Sequence, residues 1–157
     1  MVNRREVVVG MVALAAGVAA QGQNQTQDAS EAGTVLATGD FAEGSRVFKL
    51  SEAKRTVAAN GAERLSGFHG TIRSGEAVGM HESWTPPGVA APALHVIHHT
   101  EMIAVLEGEV EFVHDGRTEH AAAGDVIYVA SGTNHFIRNA GRQTARYMVF
   151  AVGGDAR

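Results

Sequence analysis

The chain has 157 residues, no cysteine and a mild net charge of −4. This length suits one domain, the lack of cysteine excludes a disulfide framework and thiolate catalysis, and the scattered basic residues leave no footprint for nucleic acid. Nineteen glycines, frequent valines and short polar breaks point to an all-β domain.

In chain order, Asn3-Arg4-Arg5-Glu6 precedes an apolar stretch from Val7 to Ala20 that ends in Val18-Ala19-Ala20. A charged start, an apolar middle and small residues at the end describe an export signal peptide over residues 1–20. Arg4 and Arg5 resemble a twin-arginine signal, with Val7 and Val8 where that pattern prefers a Phe-Leu pair. The run is too short and too rich in Ala and Gly for a convincing membrane span, and an uncleaved N-terminal anchor is the alternative. The expectation is export to the periplasm or the extracellular space, with no stable membrane span after cleavage. Residues 21–33 are rich in Gln, Asn, Ser and Asp and read as a disordered linker. Residues 34–64 read as an extended N-terminal arm, although Ser51 to Gly61 also admits a short helix ending at the glycine.

From Leu65 onward the strand signals become regular, so residues 65–157 are expected to form one β-barrel domain. Phe68 to Arg73 leads through a Ser74-Gly75 turn to Val78 to Thr85, and Pro86-Pro87-Gly88 then forces a loop, since proline cannot donate to a ladder. Met102 to Leu106 reads as a buried strand closing at Glu107-Gly108. Glu109 to His114 turns at Asp115-Gly116 and returns from Arg117, a pair that suits a type I′ hairpin turn. Val126 to Val129, Asn134 to Arg138 and Ala145 to Val152 supply three more strands. Short strands with frequent turns mean a small sandwich or a closed barrel.

Chemistry concentrates in His95-Val-Ile-His-His-Thr-Glu101 and around His135. In an unbroken strand His95, Ile97, His99 and Glu101 share one face and His98 points the other way. Two imidazoles and a carboxylate suit a divalent first-row metal. His135, from a later strand, would add a fourth donor and leave positions open for water or substrate. His95 and His99 also lie four apart, as on a helix, but Pro92 and the β-branched surroundings favour a strand. His81 reads as a hydrogen-bonded barrel histidine, His114 and His120 as solvated, Trp84 and Phe112 as core, and Asn139 as holding a turn.

These segments resemble the two motifs of the cupin superfamily. In the first, Gly88 leads, His95 stands at the first histidine, Glu101 at the glutamate, and Gly108 closes after Met102 to Glu107. In the second, Gly124, Gly132, His135 and Asn139 fit the spacing, with Ala130 in place of the proline. The resemblance covers about residues 65 to 152. It implies an all-β, single-domain cupin-type (jelly-roll) β-barrel and a metal site of three histidines and one glutamate. Ile97 departs from the pattern, standing where the second histidine would be, so His99 is the substitute, or His98 if the strand bulges.

The expected ligands of one divalent ion (Fe, Mn, Ni or Zn) are therefore His95, His99, Glu101 and His135, with Glu101 also catalytic, shifting between ligand and general base. Cupins include dioxygenases, decarboxylases, isomerases and binders, so fold does not name the reaction. The first expectation is a dioxygenase-like oxidoreductase acting on a small organic molecule. The alternatives are a non-catalytic module that captures a small ligand or metal, and a sugar isomerase. A homodimer joined by edge strands is the expected assembly.

Overall fold

A computed structural model describes residues 35–156. The expected export signal and linker lie outside the described residues. Twelve short elements follow in order: β1 (Ala37–Asp40), a single 3-10 turn (Leu50–Glu52), β2 (Arg55–Val57), β3 (Glu63–Thr71) and β4 (Ala77–Thr85) come first. Then come β5 (His95–Val96), β6 (Thr100–Glu107), β7 (Glu109–His114), β8 (Arg117–Ala122), β9 (Val126–Val129), β10 (Asn134–Asn139) and β11 (Ala145–Val152). The stretch from Ser51 to Gly61 is thus a 3-10 turn and a short strand rather than a helix. No helix among the described residues is long and apolar enough to cross a membrane.

The strands form two sheets. The wide sheet runs β1-β3-β4-β11-β6-β9 with β2 added on β3, and the narrow sheet runs β5-β10-β7-β8. Alternation within each strand explains which side is buried. In β6, Ile103 and Val105 are almost fully buried while Met102 and Leu106 are exposed, so this apolar run hides one face and not two. The hairpin between β7 and β8 turns at Asp115 (φ 47°) and Gly116 (φ 75°), both left-handed, as a type I′ turn requires.

The fold is a jelly-roll sandwich, and the expected closed barrel is corrected in one respect. Edge strands β8 and β9 do not pair with each other. A groove of about 400 Å³ lies between them, bordered by Phe112, Glu119, Ala121, Ile127 and Tyr128. The short strand β9, four residues long, pairs with β6 on one edge and leaves the other edge open.

The interior is divided in character. Ile97, Ile103, Val105, Val110, Phe112, Ile127, Val129, Ala145 and Val149 make the apolar core. Registers across the wide sheet set Ser66, His81, Val149 and Ile103 side by side on one face. The next row on that face is Arg64, Ser83, Tyr147 and Val105. The β6 end of both rows is therefore apolar and the β3–β4 end is polar. On the opposite face, Leu65, Met80 and Glu82 are buried. Near them Phe41 and Phe48 of the N-terminal arm pack on Phe68, at 5.7 and 4.4 Å between ring centroids.

Candidate metal centre

The run from His95 to Glu101 is not one strand. Its first residues, β5, pair with β10 in the narrow sheet, where His95 stands opposite His135. Its last residue lies in β6 of the wide sheet, where Glu101 stands between Ala151 and Val129. The chain changes sheets over residues 97–99. Face counting along an unbroken strand therefore fails, although the histidines and the glutamate still meet, because both ends of the crossing face the gap between sheets. Ile97 turns into the core and is 7% exposed. Its carbonyl accepts a hydrogen bond from the amide of Gly132 at 2.8 Å.

Glu101 is the hub. His99 Nε2 lies 3.1 Å from Glu101 Oε1, and His135 Nε2 lies 3.7 Å from Glu101 Oε2. The second distance is too long for a hydrogen bond but short for an attractive contact. His135 is almost fully buried, and its ring sits 4.6 Å from that of His95 between centroids. All three imidazoles turn Nδ1 outward: His135 Nδ1 lies 3.2 Å from the Thr133 carbonyl, His95 Nδ1 3.4 Å from the Ala93 carbonyl, and His99 Nδ1 2.6 Å from Asp155 Oδ1. A proton on Nδ1 of His95 and His135 leaves their Nε2 lone pairs available to a metal, whereas His99 Nε2 donates to Glu101 and would have to give up that proton to ligate. His98 is exposed and does not join Glu101.

The sequence reading missed Asp155. It follows β11 in a turn whose glycines, Gly153 (φ 77°) and Gly154 (φ 52°), are both left-handed. A Cβ on Gly154 would overlap the carbonyl oxygen of His98, so only glycine lets this turn lie against the crossing. No spacing signal links residues 99 and 155, because the contact joins the corner to the C-terminal turn. His81 takes the pocket-facing place, the lesser of its two sequence readings. It stands on the inner face beside Ser66 and Val149, with the charges of Arg64, Glu101 and His99 nearby. His114, expected to be solvated, instead stacks on Phe112 at 4.4 Å and meets Glu119 Oε1 at 2.7 Å. Asn139 does hold a turn, donating from Nδ2 to the carbonyls of Thr85 and Gln143, each at 2.7 Å.

Electrostatics separate the histidines. Burial opposes charge on His99, but its hydrogen bonds to Asp155 and Glu101 outweigh burial and raise its pKa. Burial would raise Glu101, and the neighbouring His135 and His99 more than offset that, so its carboxyl falls below the usual range. Burial, aided by Arg64, pushes His81 down to about 3. Burial and the adjacent His135 also lower His95. At neutral pH the centre is thus an ionised carboxylate with neutral His81 and His95 around it.

Among the described residues no three His, Asp or Glu side chains are set as a finished metal cage. The Glu101 carboxylate is occupied by His99 and His135. The donor chemistry nevertheless fits a divalent first-row ion: imidazole nitrogens, one hard carboxylate and outward hydrogen bonds that fix the ring orientations.

Residues 84–151 match the family model described as "Cupin domain". Among solved structures, KdgF from a Halomonas species is 17% identical, with a TM-score of 0.58 and coverage of 71% of this chain and 97% of that one. An RmlC-like cupin from Shewanella frigidimarina is 16% identical, with a TM-score of 0.55 and coverage of 71% and 94%. A predicted oxalate decarboxylase from Thermotoga maritima is 22% identical, with a TM-score of 0.51 and coverage of 69% and 100%. At such identities the likeness is one of fold. No curated protein matches the chain.

Proposed function

We propose that this chain, whose matched domain and structural neighbours support the cupin superfamily, binds one divalent metal ion through His95, His99, Glu101 and His135. The observation that carries the reading is the outward Nδ1 of all three imidazoles, with His99 and His135 on the Glu101 carboxylate and the His95 ring beside that of His135.

The function that follows is a metal-dependent, dioxygenase-like oxidoreductase acting on a small organic molecule. A bound ion would supply Lewis-acid polarisation of a substrate oxygen and, for Fe or Mn, redox capacity. The protein's own part is to orient His99 through Asp155, to keep His81 and His95 neutral, and to hold Glu101 ionised. Glu101 is also placed to take a proton from a substrate bound in the gap. Apolar core on one side limits entry of water from the β6 end.

Metal analysis of the purified protein, followed by oxygen uptake against phenolic and enolic compounds, tests this. Bound metal without turnover would leave the capture module as the function, and no metal would remove the oxidoreductase and leave only capture of a small ligand.

Two further expectations belong to this reading. Export is supported by the charged start and apolar run before Gln21, and fractionation of cells with the full chain tests it. A homodimer is supported by edge strand β9 and the exposed apolar side chains Met102, Val126, Tyr128 and Phe150 beside it. Sedimentation of the wild type and of Tyr128→Glu checks the second.

A further inference from the structure

The polar half of the sandwich interior has no structural need to be polar. Side chains that face across a sandwich are ordinarily apolar, and a polar group held there costs stability unless something bonds to it. Here one face of β3 and β4 presents Arg64, Ser66, His81 and Ser83, and β11 adds Tyr147 beside them. The same face carries Val105, Ile103 and Ile127 farther along the ladder. The change from polar to apolar occurs within one continuous sheet.

Arg64 is the cation of this wall, and it lacks a carboxylate partner among the described residues. Arg55 pairs with Glu63, Arg138 with Glu111, and Arg146 with Glu82 and Glu107, whereas Arg117, also without a carboxylate partner among the described residues, opens the exposed strand β8 away from this wall. Glu101 and Tyr147 are the electrostatic neighbours of Arg64. Glu101 is already engaged by His99 and His135, so it does not serve as the counter-ion. Arg64 is exposed as a residue, while burial around its guanidinium lowers its pKa, as expected for a charge set into the wall rather than out in solvent. An arginine kept open beside a metal-type centre resembles a fork waiting for a planar anion.

We propose that Arg64 anchors a small organic carboxylate in the polar half of the interior, with Ser66, Ser83 and Tyr147 as hydroxyl partners and the His99–Glu101–His135 centre at its far end. This deepens the metal-centre reading and rests on it for the second attachment point, a substrate oxygen directed toward the ion. It narrows the substrate from any small organic molecule to one that bears a carboxylate. Neutral sugars and simple phenols fall outside that class.

The test uses the full chain loaded with Mn(II), titrated with pyruvate and with methyl pyruvate, and followed by calorimetry. The two probes differ in charge but share the neighbouring carbonyl. The expected result is saturable pyruvate binding, with the ester weaker by about ten- to hundredfold, the range for a charged hydrogen bond. Arg64→Gln should weaken pyruvate by a similar factor while leaving the bound Mn(II) unchanged, and Arg64→Lys should recover part of the loss. Equal binding of both probes, no pyruvate binding, or unchanged affinity in Arg64→Gln would each overturn the subsite. If the wild type takes up no Mn(II) but still binds pyruvate in an Arg64-dependent manner, the metal reading falls and the anion subsite stands.

Discussion

Asp155 Oδ1 lies 2.6 Å from His99 Nδ1, and the opposite nitrogen of the same ring lies 3.1 Å from Glu101 Oε1. The C-terminal turn therefore sets the tautomer and tilt of His99. Outer carboxylates of this kind typically change metal affinity by about 10–100-fold when removed. Asp155→Ala should weaken metal binding within that range, and Asp155→Asn, which keeps an acceptor, should lose less. A metal-binding isotherm for the three proteins checks it. Identical isotherms would make Asp155 a bystander.

Gly154 acts through the same contact. A side chain at residue 154 would collide with the His98 carbonyl, so Gly154→Ala should push Asp155 off His99. Its loss of metal affinity should match that of Asp155→Ala. The double substitution should be no worse than either alone, since both break one link. Additive losses in a double-mutant cycle would separate the two residues.

The metal-free protein should be most stable near pH 6.5. His81 is held down to about 3 by burial, whereas the unfolded chain takes a proton below 6.5, so stability rises with pH between those values. Glu101, lowered from 4.5, adds to the rise at its acid end. His99, raised from 6.5, works in the other direction: its ion pairs are fully present below 6.5 and are lost as pH climbs through the raised value. Thermal melts across pH with chelator present should show a maximum. Asp155→Asn should flatten the alkaline limb. A wild-type optimum well above neutrality, or an alkaline limb unchanged by Asp155→Asn, would contradict the assignment.

Much of the fold could be read from residue alternation and turn chemistry. Asp115-Gly116 marked its hairpin, and Val126 to Val129 stands as a strand over the range expected. The corner at residues 97–99 was not legible, because alternation cannot tell a strand that continues from one that changes sheets. His95 and Glu101 reach the same gap by different sheets, so the residues come together although the single strand face expected for them does not exist. Asp155 and Arg64 were invisible for another reason. Each joins the site through a contact between distant segments, which a period of two residues does not encode.

Glu82 is as buried as His135 but faces the other way. It is 2% exposed and accepts a hydrogen bond from Arg146 Nε at 2.5 Å, on the face covered by the N-terminal arm. Glu82→Gln should lower stability by about 1–3 kcal/mol, the cost of weakening a charged hydrogen bond, and should leave metal content unchanged. Denaturant melts together with metal analysis check both halves. Loss of metal without loss of stability would place Glu82 in the centre instead.

The central claim is that His99, and not its neighbour His98, completes a metal centre with His95, Glu101 and His135. The direct measurement is metal stoichiometry of the wild type, His99→Ala and His98→Ala after loading with Mn(II). One ion per chain should bind to the wild type and to His98→Ala, and binding should collapse in His99→Ala. No ion in the wild type, or loss confined to His98→Ala, would contradict the account.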